Sequence, residues 1–62
     1  MIIGTVKSIT AGVGVSVQID GETSATEKKY AYLSSYSPVV NDRVLIAEVA
    51  GSYVVLGKIK KG

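Results

Sequence analysis

Apolar and polar residues alternate along most of this chain with a period of two, the pattern of a β-strand packed on one face. Ile2 to Thr10 predicts a first strand, in which Ile2 and Val6 fall on one parity and Ile3 and Ile9 on the other. Gly4 is the position at which a bulge would carry that pattern across the pleat. Ala11-Gly12 predicts a tight turn. Val13 to Ile19 predicts a second strand, with Val13, Val15, Val17 and Ile19 on the core face and Gly14, Ser16 and Gln18 on a solvated back. Asp20 to Thr26, DGETSAT, carries the Asp20-Gly21 turn signal and reads as a mobile loop at the tip of a long hairpin. Strand character resumes in EKKYAYL, Glu27 to Leu33, with Lys28, Tyr30 and Tyr32 on one face and Lys29, Ala31 and Leu33 on the other. SSYSPVV, Ser34 to Val40, is irregular, because Pro38 cannot donate to a central ladder.

After an Asn41-Asp42 turn, the chain ends in a pattern of a different kind. RVLIAEV, Arg43 to Val49, and YVVLGKI, Tyr53 to Ile59, are joined by Ala50-Gly51-Ser52 and are apolar on both faces. Val44 and Ile46 point one way, Leu45, Ala47 and Val49 the other; Val54 and Leu56 oppose Tyr53, Val55 and Ile59. A strand apolar on both faces is commonly covered on both. One face can line a core, and a chain this short has no second layer for the other. A further copy of the chain would cover it, which makes Leu45, Ala47, Val49, Tyr53, Val54, Val55 and Leu56 the candidate interface residues. The alternative is that the outward apolar residues are scattered singly, as on many surfaces. Lys60, Lys61 and Gly62 form a basic tail expected to fray.

The pattern therefore predicts an all-β fold of five short strands in one domain, residues 1–62. Closure into a small barrel would remove sticky edges, and the two candidates are an OB-like and an SH3-like barrel. The stretch SSYSPVV leaves room for a single helical turn at most. Composition agrees: the 47% apolar fraction contains no Phe or Trp and is carried by Val, Ile, Leu and Ala with four Tyr, and β-branched residues suit a pleated surface. A domain of this size buries only about 60% of its unfolded surface and usually needs a staple. With no Cys and no His, disulfides and Cys/His zinc sites are excluded, which leaves oligomerisation.

Catalysis is not expected. His and Cys are absent, and Ser8, Ser16, Ser24, Ser34, Ser35, Ser37 and Ser52 have no activating partner in the sequence. The carboxylates Asp20, Glu22, Glu27, Asp42 and Glu48 are scattered and do not form a calcium loop. Gly12 and Gly14 in TAGVGVSV precede neither a Lys-Ser/Thr pair nor a helix, so they are not a phosphate loop. No cofactor and no metal are expected. No apolar run approaches the roughly 18 residues of a membrane span, and MIIGTVKSIT lacks the pattern of a secretory leader. The formal charge of +2 is a weak bias toward anions. Lys28, Lys29, Tyr30, Tyr32 and Tyr36, with Tyr53, Lys58 and Lys60, could still form a stacking platform for single-stranded nucleic acid, the alternative function. Against it stand the small charge excess, the nearby Glu22 and Glu27, and the fitness of Tyr for protein contacts. A third reading is a scaffold that docks another protein along a strand edge.

The run from Val40 to Ile59, VNDRVLIAEVAGSYVVLGKI, resembles a pattern in small OB-like modules of tailed-phage and prophage structural proteins: a Gly-Asp turn, a strand, a Gly-Ser turn, and a strand ending Val-Leu-Gly. Asn41 stands where that pattern has Gly, and Asn tolerates a left-handed turn. MIIGTVKSI is similar to the opening strand of such modules. The resemblance implies a virion or tail-assembly component, a homo-oligomer that forms rings including hexamers, a role as structural part or assembly chaperone, and other tail proteins as partners. It places the protein in the host cytoplasm during assembly and in the virion if it is retained there.

Overall fold

A computed structural model describes residues 1–60; Lys61 and Gly62 of the expected fraying tail lie outside the described residues. Five strands and no helix make up the described chain: β1 (Ile2–Thr10), β2 (Gly14–Ile19), β3 (Ala31–Tyr32), β4 (Arg43–Val49) and β5 (Ser52–Lys58). They form one mixed sheet in the order β2-β1-β4-β5-β3. The β1–β2, β1–β4 and β4–β5 pairs are antiparallel and the β3–β5 pair is parallel.

In β1 the apolar pattern does change sides, but at Lys7 and not at Gly4. The register with β2 slips between Val6↔Val17 and Ser8↔Ser16, leaving Lys7 as the extra residue, so Ile9 comes to lie opposite Val15. Gly4 serves packing instead. A Cβ there would sit 2.8 Å from the Gln18 carbonyl oxygen and 3.1 Å from Ile46 Cδ1.

β2 begins at Gly14, and Val13 stays in the turn, 63% exposed, with its N–H donating to the Thr10 carbonyl at 3.0 Å. Its expected solvated back is covered at Ser16, which is only 4% exposed. The Ser8 and Ser16 hydroxyls lie 2.6 Å apart, and Lys29 Nζ donates to Ser8 Oγ at 2.6 Å. The loop from Asp20 to Thr26 is not a free hairpin tip either. The Thr26 N–H donates to the Val17 carbonyl (2.8 Å), the Val17 N–H to Thr26 Oγ1 (3.1 Å), and the Asp20 N–H to the Ile3 carbonyl (3.0 Å).

The strand expected over residues 27–33 shrinks to Ala31–Tyr32, which pairs with β5 as Ala31↔Val54 and Tyr32↔Val55. Just ahead of it, one isolated bridge ties Tyr30 to Val15 of β2, with N–H···O distances of 2.9 and 2.8 Å. The bridge requires glycine at position 14. Its φ is +144°, and a Cβ would run into the Tyr30 carbonyl oxygen.

The register of β4 with β5 slips opposite Leu45: Leu45 faces Gly57, Ile46 faces Val55, and Leu56 is the extra residue. The regular pairing that precedes the slip, Ile46↔Val55, overturns one interface assignment. Val55 turns inward beside Ile46 and is fully buried. The core consists of Val6, Val15, Val17, Val44, Ile46 and Val55, flanked by Ile2, Ile19, Tyr30, Tyr36 and Tyr53. Full burial of each aliphatic side chain contributes roughly 1.5–3 kcal/mol.

The segment before β4 is anchored by polar contacts. Tyr36 Oη donates to Asp42 Oδ2 at 2.7 Å, and Lys58 Nζ lies 3.5 Å from Asp42 Oδ1. Asn41 takes φ 77° within a turn closed by the Asp42 N–H on the Val39 carbonyl.

Candidate self-association face

The outer side of the sheet over β1, β4, β5 and β3 is apolar row by row. Ile3 of β1 lies opposite Leu45 of β4, which lies opposite Gly57 of β5. The bulge places Leu56 on the Leu45 side as well. In the next row Ala47 faces Val54, which faces Ala31 of β3. Val49 continues the β4 face at 56% exposure, and Ile3 is 40% exposed. Leu45, Ala47, Val54 and Leu56 are half-buried by their neighbours.

One end of this face has a charged rim. Arg43 shares the parity of Leu45 and grips Asp20 through two bonds, Nη1–Oδ1 at 2.6 Å and Nη2–Oδ2 at 2.7 Å. The hydrogen bond from Arg43 holds the Asp20 carboxyl below its ordinary range, and the same contact raises the guanidinium pKa. The pair is exposed and tethers the Asp20–Thr26 loop to the start of β4.

Of the interface residues expected from sequence, Leu45, Ala47, Val49, Val54 and Leu56 belong to this outer surface. Val55 belongs to the core, and Tyr53, opposite Glu48, packs against the core. Ile3 and Ala31 join the face without having been expected there. Their alternation was visible, but the strands that lie beside β4 and β5 are set by long-range pairing.

The tyrosines and lysines expected to make a second surface are divided among separate tasks. The Tyr30 and Tyr53 rings pack at 5.1 Å and 60° on the flank of the core. Tyr36 uses its hydroxyl on Asp42 and meets Tyr32 edge-on, centroids 6.2 Å apart. Lys28 is exposed, while Lys29 reaches across to Ser8. The Ser8–Ser16–Lys29 contacts clasp β1 and β2 to the segment ahead of β3.

A cleft of about 190 Å³ lies within one loop, lined by Ile19, Glu22, Thr23, Ser24, Ala25 and Thr26. It is smaller than the few hundred Å³ usual for a ligand pocket. Among the described residues no three metal-ligating side chains converge, and no helix is long and apolar enough to cross a membrane. No protein-family model, no curated protein and no solved structure matches the chain.

Proposed function

We propose that this chain is a non-enzymatic structural or assembly module of a tailed phage or prophage, which self-associates into a ring through the outer face of β4 and β5. The observation that carries self-association is the continuous apolar face from Ile3 through Leu45 and Ala47 to Val54 and Ala31. Among the described residues, Ile3, Ala31 and Val49 of this face are exposed and Leu45, Ala47 and Val54 are half-buried. An exposed contiguous apolar surface on a small protein is a contact site by the same physics that builds its core. The phage assignment is supported by the resemblance of Val40–Ile59, including the Asn41-Asp42 turn and the Val-Leu-Gly ending. Hexamers, an assembly-chaperone role, other tail proteins as partners, and work in the host cytoplasm with a place in the virion follow from that resemblance.

The fold on this reading is a partly open OB-like barrel rather than an SH3-like one. The Val15–Tyr30 bridge supports closure, since it joins the two ends of the strand order β2-β1-β4-β5-β3. Area favours a ring over an isolated dimer. Four strands about 4.8 Å apart and about four residues deep give a planar footprint of only about 200–250 Å². A stable interface takes about 800 Å² from each partner. A cyclic head-to-tail arrangement gives each subunit two such contacts and so raises the total area it buries. Ile9, Val13, Val39 and Val40 are further exposed apolar residues outside that face. Internal use of Tyr30, Tyr36, Tyr53 and Lys29 weighs against the nucleic-acid alternative.

The test is to introduce a charge into the face. Leu45→Glu and Val54→Glu should each give folded monomer, or material that fails to fold without its partner, by light scattering and circular dichroism. Well-folded particles of unchanged mass from both variants would remove the interface assignment.

A further inference from the structure

The β4–β5 turn is built from the wrong residue for a turn in water. β4 and β5 are joined through Val49↔Ser52, so the loop has two residues, Ala50 and Gly51, with φ of 50° and 80°. Two positive φ values in a two-residue hairpin loop make it the type I′ turn, whose first position is normally Asn, Asp or Gly. Asn suits the left-handed conformation and hydrates its amide; Ala strains the backbone and offers water a methyl group. The residue before it, Val49, is 56% exposed and continues the apolar row of Leu45 and Ala47.

The turn also projects from the sheet. Pairing of β1 with β4 reaches only Ile2↔Ile46, and pairing of β3 with β5 starts at Val54. Residues 48–52 therefore form a two-stranded tip beyond both neighbours, with Val49 beside Ser52 on its outer side and one strained non-glycine residue in its turn.

We infer that this tip, Val49 and Ala50 above all, is a contact element that a second copy of the chain covers. The inference rests on the self-association proposed above and extends it. The outer face of the sheet is smaller than a stable interface needs, and the tip is continuous with it. Burial of the Ala50 methyl offsets a backbone conformation that would otherwise favour Asn. The turn thus gives up some stability in the single chain for contact in the assembly.

Ala50→Asn separates these two effects, because it keeps the turn type while replacing the methyl with a hydrated amide. Native mass over a dilution series and urea unfolding below the dissociation concentration should be measured for wild type, Ala50→Asn and Leu45→Glu. The expected result is a dissociation constant raised at least tenfold in Ala50→Asn, with a monomer urea midpoint equal to or above that of wild type. An unchanged dissociation constant in Ala50→Asn, with Leu45→Glu dissociated, would overturn the role of the tip and leave the sheet face standing. A lowered monomer midpoint in Ala50→Asn would overturn the turn argument. A wild-type chain that is monomeric throughout would overturn both readings.

Discussion

Replacing Gly14 by alanine should bring this domain close to unfolding, while the same change at Gly12 should not. Both glycines have positive φ, +144° and +76°. Only at Gly14 does a Cβ have anything to hit, namely the Tyr30 carbonyl; at Gly12 nothing lies within 4 Å. At Gly12 the substitution costs about 1–2 kcal/mol for a left-handed alanine. At Gly14 the backbone strain is about 1–3 kcal/mol. Relief of the clash also breaks the Val15–Tyr30 pair of hydrogen bonds, each contributing about 0.5–1.5 kcal/mol. The sum, roughly 2–6 kcal/mol, is comparable to the total stability of about 3–9 kcal/mol expected for 62 residues. Urea unfolding at one fixed protein concentration would measure both variants, and amide exchange at Val15 and Tyr30 would locate the loss. A Gly14→Ala midpoint equal to that of Gly12→Ala, with Tyr30 still protected, would refute the claim that this bridge holds β2 to the β3 segment.

Three further outcomes follow from the same structure. Ile46→Ala should destabilise the fold by about 2–5 kcal/mol in urea, because its side chain is fully buried between β1 and β5. Burial and the bond to Asp42 push the Tyr36 hydroxyl up to about 12 from 10.0, so its contribution is complete below pH 10 and disappears as pH rises toward 12; Tyr36→Phe should flatten that alkaline limb of a stability–pH curve. The Tyr36 bond, opposed by burial and helped by Lys58, lowers the Asp42 pKa, so its contribution is complete above the usual carboxylate value of 3.8 and is lost as pH falls through the lower folded value; Asp42→Asn should flatten the acid limb.

Short apolar runs bounded by turn residues were enough to read β1, β4 and β5 from the sequence, with ends within a residue of those found for β5 and identical for β1 and β4. Local alternation also separated inward Val44 and Ile46 from outward Leu45, Ala47 and Val49, because no bulge interrupts β4. Pairing between distant segments was not legible. The slip at Lys7 depends on how β2 lies beside β1, and the slip at Leu56 depends on Leu45 accepting two partners. Val55 passed for an interface residue because YVVLGKI is apolar on both faces, and only its pairing with Ile46 shows which face is inward. EKKYAYL reads as a full strand by composition, yet only Ala31 and Tyr32 find a ladder, alongside β5, while Tyr30 turns toward Val15. Lys29 reaches Ser8 across 21 residues of sequence, a distance no periodicity encodes. The outer face was half visible: its β4 and β5 members could be named, whereas Ile3 and Ala31 required the strand order.

The most direct test of self-association through the β4–β5 face is the native mass of the wild-type chain by light scattering on a sizing column across a dilution series. A discrete multiple of the 6.5 kDa chain mass that persists on dilution, and that Val54→Glu abolishes, is the expected result. A folded monomer at every concentration would contradict the account.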